Sequence, residues 1–201
     1  MRADQIFAAL LEHLQVTVLG ILLGCIAGIA IASFLKNKPK GAKAAFAAVD
    51  IIQTIPTLAM LTFLMLLFGL NNKTVIAAIF LYSLFPIVRN TYAGLIGVDR
   101  GSIRAGRGIG MTNMQLYWRV EMPLALPVVL SGIRIAIVTA LGIATTGVLI
   151  GAGGLGKLIW LGIQRRNTLM MLSGAIPVSL LAIVFEYLLS FLEKRMRKRL
   201  G

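Results

Sequence analysis

Five long apolar runs, separated by polar, charged or glycine-rich breaks, divide the chain. The first is QVTVLGILLGCIAGIAIASFL, residues 15–35, followed by KNKPKGAK. The second is IIQTIPTLAMLTFLMLLFGL, 51–70, closed by NNK. The third covers 74–95, ending in LFPIVRNTYAGL. The fourth is LALPVVLSGIRIAIVTALGIATTGVLI, 124–150. The fifth, 170–192, is MMLSGAIPVSLLAIVFEYLLSFL, ahead of EKRMRKRLG. A hydrocarbon core about 30 Å thick is crossed by about 20 residues rising 1.5 Å each. The pattern therefore predicts an all-α integral membrane protein with five transmembrane helices in a single domain, 1–201. Between the third and fourth runs, VDRGSIRAGRGIGMTNMQLYWRVEMPLALP (98–127) is too long for a turn and too polar for the membrane. It predicts two short helices, the first over about 101–108. The second is capped by Thr112 with Gln115 three residues on, and Pro123 is expected to end it and to start the next span. Met111, Met114, Tyr117 and Trp118 fall on one helical face. Such a surface helix pair suits lying on lipid or inserting into a groove of a soluble partner, and composition does not choose between them.

GAGGLG (151–156) has the G-x-G-x-x-G spacing of a dinucleotide site, but that spacing carries meaning only between a buried strand and a helix. Here it follows a membrane span, and no acid stands about 20 residues further on to take a ribose hydroxyl. Its glycines predict a tight turn and close helix packing. LGKLIWLGIQRRNTLM after it predicts a short interfacial helix with Trp160 in the aromatic belt.

Composition supports the membrane reading. Of 201 residues, 58% are hydrophobic and 13% charged, against about 25% charged in soluble domains. The formal charge of +13, from 20 Lys+Arg and 7 Asp+Glu, is distributed unevenly. Lys36, Lys38, Lys40, Lys43, Arg100, Arg104, Arg107, Arg119, Lys194, Arg195, Arg197, Lys198 and Arg199 fall on one side of the spans. Arg2, Lys73, Lys157, Arg165 and Arg166 fall on the other. The bias predicts an outside N-terminus and a cytoplasmic C-terminus in a bacterial-type inner membrane. It also attracts anionic lipid and needs no nucleic acid to explain it. The start MRADQIFAALLEHLQ is acidic and its run too long for a cleaved signal. One cysteine, Cys25, and one histidine, His13, supply neither a metal site nor a Ser-His pair. Cys25 is expected at a helix interface and His13 at the surface before the first span.

Polar residues inside spans are costly and serve as functional candidates. Gln53, Thr54 and Thr57 flank Pro56 in QTIPT, where proline loosens the helix and frees carbonyls. Thr145 and Thr146 close a small-residue stripe. Tyr82, with Tyr92 and Phe85, suits cation–π contact with a quaternary amine. Arg134 and Glu186 sit at different depths and pair only if their helices are offset. Arg89 and Asn90 are expected to anchor the third span.

RAGRGIGMTNMQLYWRVEMPLALP resembles the cytoplasmic coupling motif of ABC importer permeases, E-A-A-x-x-x-G, nine residues, I-x-L-P. Arg104, Ala105 and Gly106 fall on E-A-A, Gly110 on the glycine, and Val120, Met122 and Pro123 on I-x-L-P. Arg104 stands where the family has its glutamate, and Gly106 where it has the second alanine. With LFPIVRNTYAGLIGVD (84–99), GAGGLGKLI and the five-span layout, the chain resembles osmoprotectant permeases of the methionine-importer-like type I fold, which move glycine betaine, choline or carnitine. The resemblance implies that Arg104, Ala105, Gly106, Gly110, Met111, Met114, Tyr117, Trp118 and Pro123 couple to a cytoplasmic ABC ATPase. It implies a second permease subunit, identical or homologous, an extracellular binding protein, and ATP and Mg on the ATPase with no cofactor here. The chain itself has no G-x-x-x-x-G-K-[ST] loop. The alternatives are a permease for another small solute such as an amino acid, or an ion-coupled carrier, which needs a mid-membrane carboxylate that only Glu186 approaches. An intramembrane serine protease lacks its histidine.

Overall fold

The computed structural model describes residues 3–200, with side chains from 4 to 198. Arg2 lies outside the described residues, as does the side chain of Arg199. The helices are α1 (Ala3–Leu35), α2 (Pro39–Thr54), α3 (Thr57–Phe68), α4 (Asn72–Ile96), α5 (Arg100–Gly108), α6 (Asn113–Leu116), α7 (Met122–Thr146), α8 (Leu155–Gln164) and α9 (Thr168–Leu200). A π turn, Tyr117–Glu121, joins α6 to α7, and a 3-10 turn, Gly147–Ile150, follows α7. No strand occurs among the described residues.

Among the described residues, four helices are long and apolar enough to cross a membrane, and a fifth span is added if α2 and α3 count as one. The second apolar run is thus a broken pair, bent by 99°. Pro56 causes the break, since it has no amide to donate and drives the residue before it out of helical backbone. Ile55 accordingly sits at φ −70°, ψ 125°. The Tyr82 hydroxyl donates to the freed Ile55 carbonyl, as a break at membrane depth requires.

α4 is the centre of the bundle, with α1, α2, α3 and α7 against it and α9 outside on α7 and α8. Inside a membrane, helices gain little from hiding apolar area and associate through close packing. Gly20, Gly24 and Gly28 supply it, at four-residue intervals on α1. Side chains on α4 at the same interval fill their places: a Cβ on Gly20 would lie 2.7 Å from Ile79 Cβ, one on Gly24 3.0 Å from Ser83 Cβ, and one on Gly28 2.7 Å from Ile87 Cγ2. The core above this seam contains Leu61, Ile79, Tyr82, Ala140 and Ile143.

Pro123 does not end a helix as its sequence context predicts. The π turn ahead of it leaves α6 and α7 continuous over Asn113–Ile150. A wider turn accommodates a residue that can neither donate an amide nor tolerate the carbonyl four residues back. His13 also departs from expectation: it is 2% exposed and packs against Gly154.

Gly24→Leu should wedge α1 from α4 and cost about 1–3 kcal/mol, the usual penalty for overpacking. Thermal unfolding of the solubilised protein reads this, with Ile26→Ala on the open face of α1 as a control expected to match wild type.

Candidate functional site

The glycines of the 151–156 loop surround a carboxylate from their own chain. Glu12 of α1 accepts from the Gly154 amide at 2.9 Å and from Asn72 Nδ2 at 2.9 Å. Asn72 Oδ1 in turn accepts from the Gly153 amide at 3.3 Å. Any side chain on Gly153 would collide with the Glu12 carboxylate. Gly154 adopts φ +82°, a conformation that suits only glycine without strain. The anion that these amides hold is therefore Glu12, and the loop ties α1, α4 and the start of α8 together.

At the opposite end lies the polar connection. Asp99 caps α5 by accepting from the Ser102 amide at 2.8 Å. The backbone amides of Ser102 and Gly101 hold its carboxyl below the usual carboxylate range. Because the folded value lies below the unfolded one, the cap's contribution is present above the unfolded value and is lost as pH falls through the folded one. Gly110, at φ +81°, turns the chain out of α5. Thr112 and Gln115 form the anticipated reciprocal box, with Gln115 N to Thr112 Oγ1 at 3.3 Å and Thr112 N to Gln115 Oε1 at 2.9 Å. A Cβ on Gly106 would sit 2.7 Å from Leu116 Cδ1 and 3.3 Å from Met111 Sδ. This glycine thus lets the two short helices pack into one body.

Of the expected coupling residues, Arg104, Ala105, Gly110, Met114 and Trp118 are exposed. Gly106 is buried, and Met111, Tyr117 and Pro123 are half-buried. Met111 leaves the face predicted for it and points at Gly106, whereas Met114, Tyr117 and Trp118 stay together along a groove of about 690 Å³ beside α1. Ile109, Met114 and Trp118 are 77%, 67% and 61% exposed. Large apolar side chains held out on a capped, rigid helix pair mark a surface that another molecule covers.

The path candidates do not form a single lining. Gln53, Thr54 and Thr57 cluster at the α2–α3 break, with Tyr82 buried beneath it. Thr145 and Thr146 donate back to Leu141 and Ile143 carbonyls and edge a small apolar hollow with Trp160 and Ile163. Arg134 turns to α9, where its Nη1 donates to Glu186 at 2.7 Å and its Nη2 stands 3.7 Å from Glu193. The helix offset that this pair requires is present. Arg89 pairs with Asp50 of α2, which is the anchoring role expected of it.

Ser33 and Glu121 join the site without having stood out in the sequence, and Lys36 stood out there only as one of the basic residues after the first run. The Lys36 ammonium pairs with Glu121 of the π turn and lies 4.9 Å from the Tyr117 ring centroid. Ser33 Oγ meets Tyr117 Oη at 2.6 Å. The only signal in the sequence was a carboxylate, Glu121, placed where a helix enters the membrane.

Residues 20–198 match the family model described as binding-protein-dependent transport system inner membrane component. The chain is 42% identical over 184 residues to the glycine betaine/carnitine/choline transport system permease protein OpuCD of Bacillus subtilis (strain 168), covering 91% of this chain and 80% of that one. It is 40% identical over 195 residues to the choline transport system permease protein OpuBD of the same strain, covering 94% and 86%. Against the osmoprotectant import permease protein OsmW of Salmonella typhimurium (strain LT2) it is 38% identical over 187 residues, covering 90% and 87%. It superposes on the inward-facing MetNI methionine ABC transporter over 100% of both chains, with a TM-score of 0.77 at 24% identity. That likeness establishes the fold, the all-α arrangement that the transporter's matched chain has.

Glu12→Ala removes the acceptor for Asn72 and Gly154 and should cost about 1–3 kcal/mol, the range for stranding buried donors. The expected readout is a melting temperature lower by several degrees.

Proposed function

We propose that this chain, which belongs to the family of binding-protein-dependent transport system inner membrane components, is the permease subunit of an ATP-driven importer for quaternary-amine osmoprotectants. The observation that carries the reading is the capped α5–α6 pair, with Ile109, Met114 and Trp118 exposed at one end of a helix that runs on into a membrane span. ATP and Mg bind on a separate cytoplasmic ATPase, and this chain performs no chemistry. A helix pair seated in a groove of that ATPase carries its closure to α4 and α7, which flank it in the chain, and turns the pathway from one side of the membrane to the other. The relatives named for glycine betaine, carnitine and choline support the substrate class. One such bundle has too few spans to enclose a path, so a second permease subunit, identical or homologous, completes it. An extracellular binding protein delivers the solute.

The basic segments at Lys36–Lys43, Arg100–Arg119 and Lys194–Lys198 support a reading in which that end of the bundle faces the cytoplasm and the N-terminus faces outside. An ion-coupled carrier is the weaker reading, because Glu186, its one candidate carboxylate, is already engaged by Arg134.

Two experiments test this. In a Cys25→Ser background, Lys198→Cys should react with a membrane-impermeant thiol reagent only from the cytoplasmic side and Lys157→Cys only from outside; the reverse pattern overturns the orientation. The solubilised protein, co-expressed with its transport partners, should bring an ATPase with it and, in proteoliposomes, take up labelled glycine betaine, choline or carnitine on addition of ATP and binding protein. Trp118→Arg should lose the ATPase. Uptake of an amino acid in place of these amines would keep the importer reading and replace its substrate, and the absence of any ATPase would end it.

A further inference from the structure

The coupling segment lies between α4 and α7 in the chain, so covalent continuity carries its displacement to those two helices alone. α1 is remote in sequence: Tyr117 and Glu121 are 84 and 85 residues from their partners Ser33 and Lys36. We propose that Ser33 and Lys36, clasped by Tyr117 and Glu121, are positioning residues that make the inner end of α1 travel with α5–α6, so that three helices respond to the partner. The inference rests on the reading of α5–α6 as the ATPase-docking element.

Three contacts converge. The Ser33 hydroxyl donates to the Ile29 carbonyl at 2.7 Å, and a hydroxyl has one proton to give. Tyr117 is therefore the donor in its 2.6 Å bond to Ser33 Oγ. Lys36 makes the ion pair with Glu121, and the same ammonium lies over the Tyr117 ring, so one cation engages both ends of the π turn. Glu121 is 8% exposed. A carboxylate this buried is costly without its partner, so the pair resists separation when the helices shift. π turns are rare and recur at functional positions. This one directs Tyr117 and Glu121, four residues apart, at the same neighbouring helix.

The position of the clasp argues for transmission as well as packing. The glycine seam that holds α1 to α4 covers Gly20–Gly28, and the clasp takes hold further along, at Ser33–Lys36, beside the segment on which the partner acts. Past the seam, Ala32 still packs with Leu84 and Val88 of α4, and the clasp adds polar bonds from α1 to the π turn itself.

The test uses the assembled importer in proteoliposomes and reads solute taken up per ATP hydrolysed. Lys36→Met and Glu121→Gln should still co-elute with the ATPase and hydrolyse ATP, while uptake per ATP falls about five-fold or more, the lower end of measured coupling between sites. The exchange of charges, Lys36→Glu with Glu121→Lys, should restore most of the ratio. Ser33→Ala, which removes the acceptor for Tyr117 together with the local bond to the Ile29 carbonyl, should lower it in the same direction. An unchanged ratio in the single variants overturns the proposal, as does an exchange that assembles without recovering. If a charge variant fails to assemble, Ser33→Ala decides, with a lowered ratio in support and a wild-type ratio against. A wild-type assembly without ATP-driven uptake is a separate result, and it would remove the functional reading itself.

Discussion

Close approach of α1 to α4 is the constraint on which the remaining structure depends. In a bilayer the apolar side chains of two helices gain nothing by leaving lipid for each other, so contact has to come from backbones that approach nearly to touching. The glycines at 20, 24 and 28 make that approach possible, and the Ile79, Ser83 and Ile87 side chains use the space. With α1 fixed on α4, Glu12 stands where the Gly153–Gly154 turn can close on it. At the other end, Ser33 and Lys36 stand where the π turn can reach them. Both ends of the bundle thus inherit their geometry from one seam.

Charge inside the bundle follows a second constraint, that an ion at membrane depth needs a counter-ion. Arg134 lies roughly 18 Å along α7 from Met122, with Glu186 and Glu193 of α9 beside it. Arg89 has Asp50, and Lys36 has Glu121. These pairs bind α9 to α7, α2 to α4 and α1 to the π turn. The excess of positive charge outside such pairs gathers at the ends of helices, where headgroups and water receive it. The same side chains therefore offset one another's charge and tie together helices far apart in sequence.

The hydropathy pattern made the fold class legible, because a run of apolar residues long enough for a bilayer admits few structures besides a helix. The Thr112–Gln115 box and the turn at GAGGLG were legible for the same kind of reason, since each is decided by residues next to one another. Features decided by distant partners were not. The burial of His13 depends on α7 and on the Gly154 turn, and the Lys36–Glu121 and Arg134–Glu186 pairs span 85 and 52 residues. Pro56 announced a loosened span, whereas the chain is broken there and bent by 99°. Pro123 announced an end that the π turn then absorbed. The glycine triplet at 20, 24 and 28 went unread, because the continuous apolar run around it hid its four-residue spacing. Among the candidate site residues, local pattern located the exposed Met114 and Trp118. It could not separate them from Gly106, whose burial depends on Leu116 folding back over it.

The π turn also fixes a phase. A helix advances about 100° per residue, so the direction in which Met114 and Trp118 face is set, relative to every residue of α7 beyond, by the number of residues between them. Five residues in a widened turn give one heading. Loss of a single residue there would swing the exposed pair through roughly a quarter of a circle while leaving each helix intact. Tyr117–Glu121 thus works as the index mark between two dials, which a single-residue insertion or deletion would reset without altering either helix.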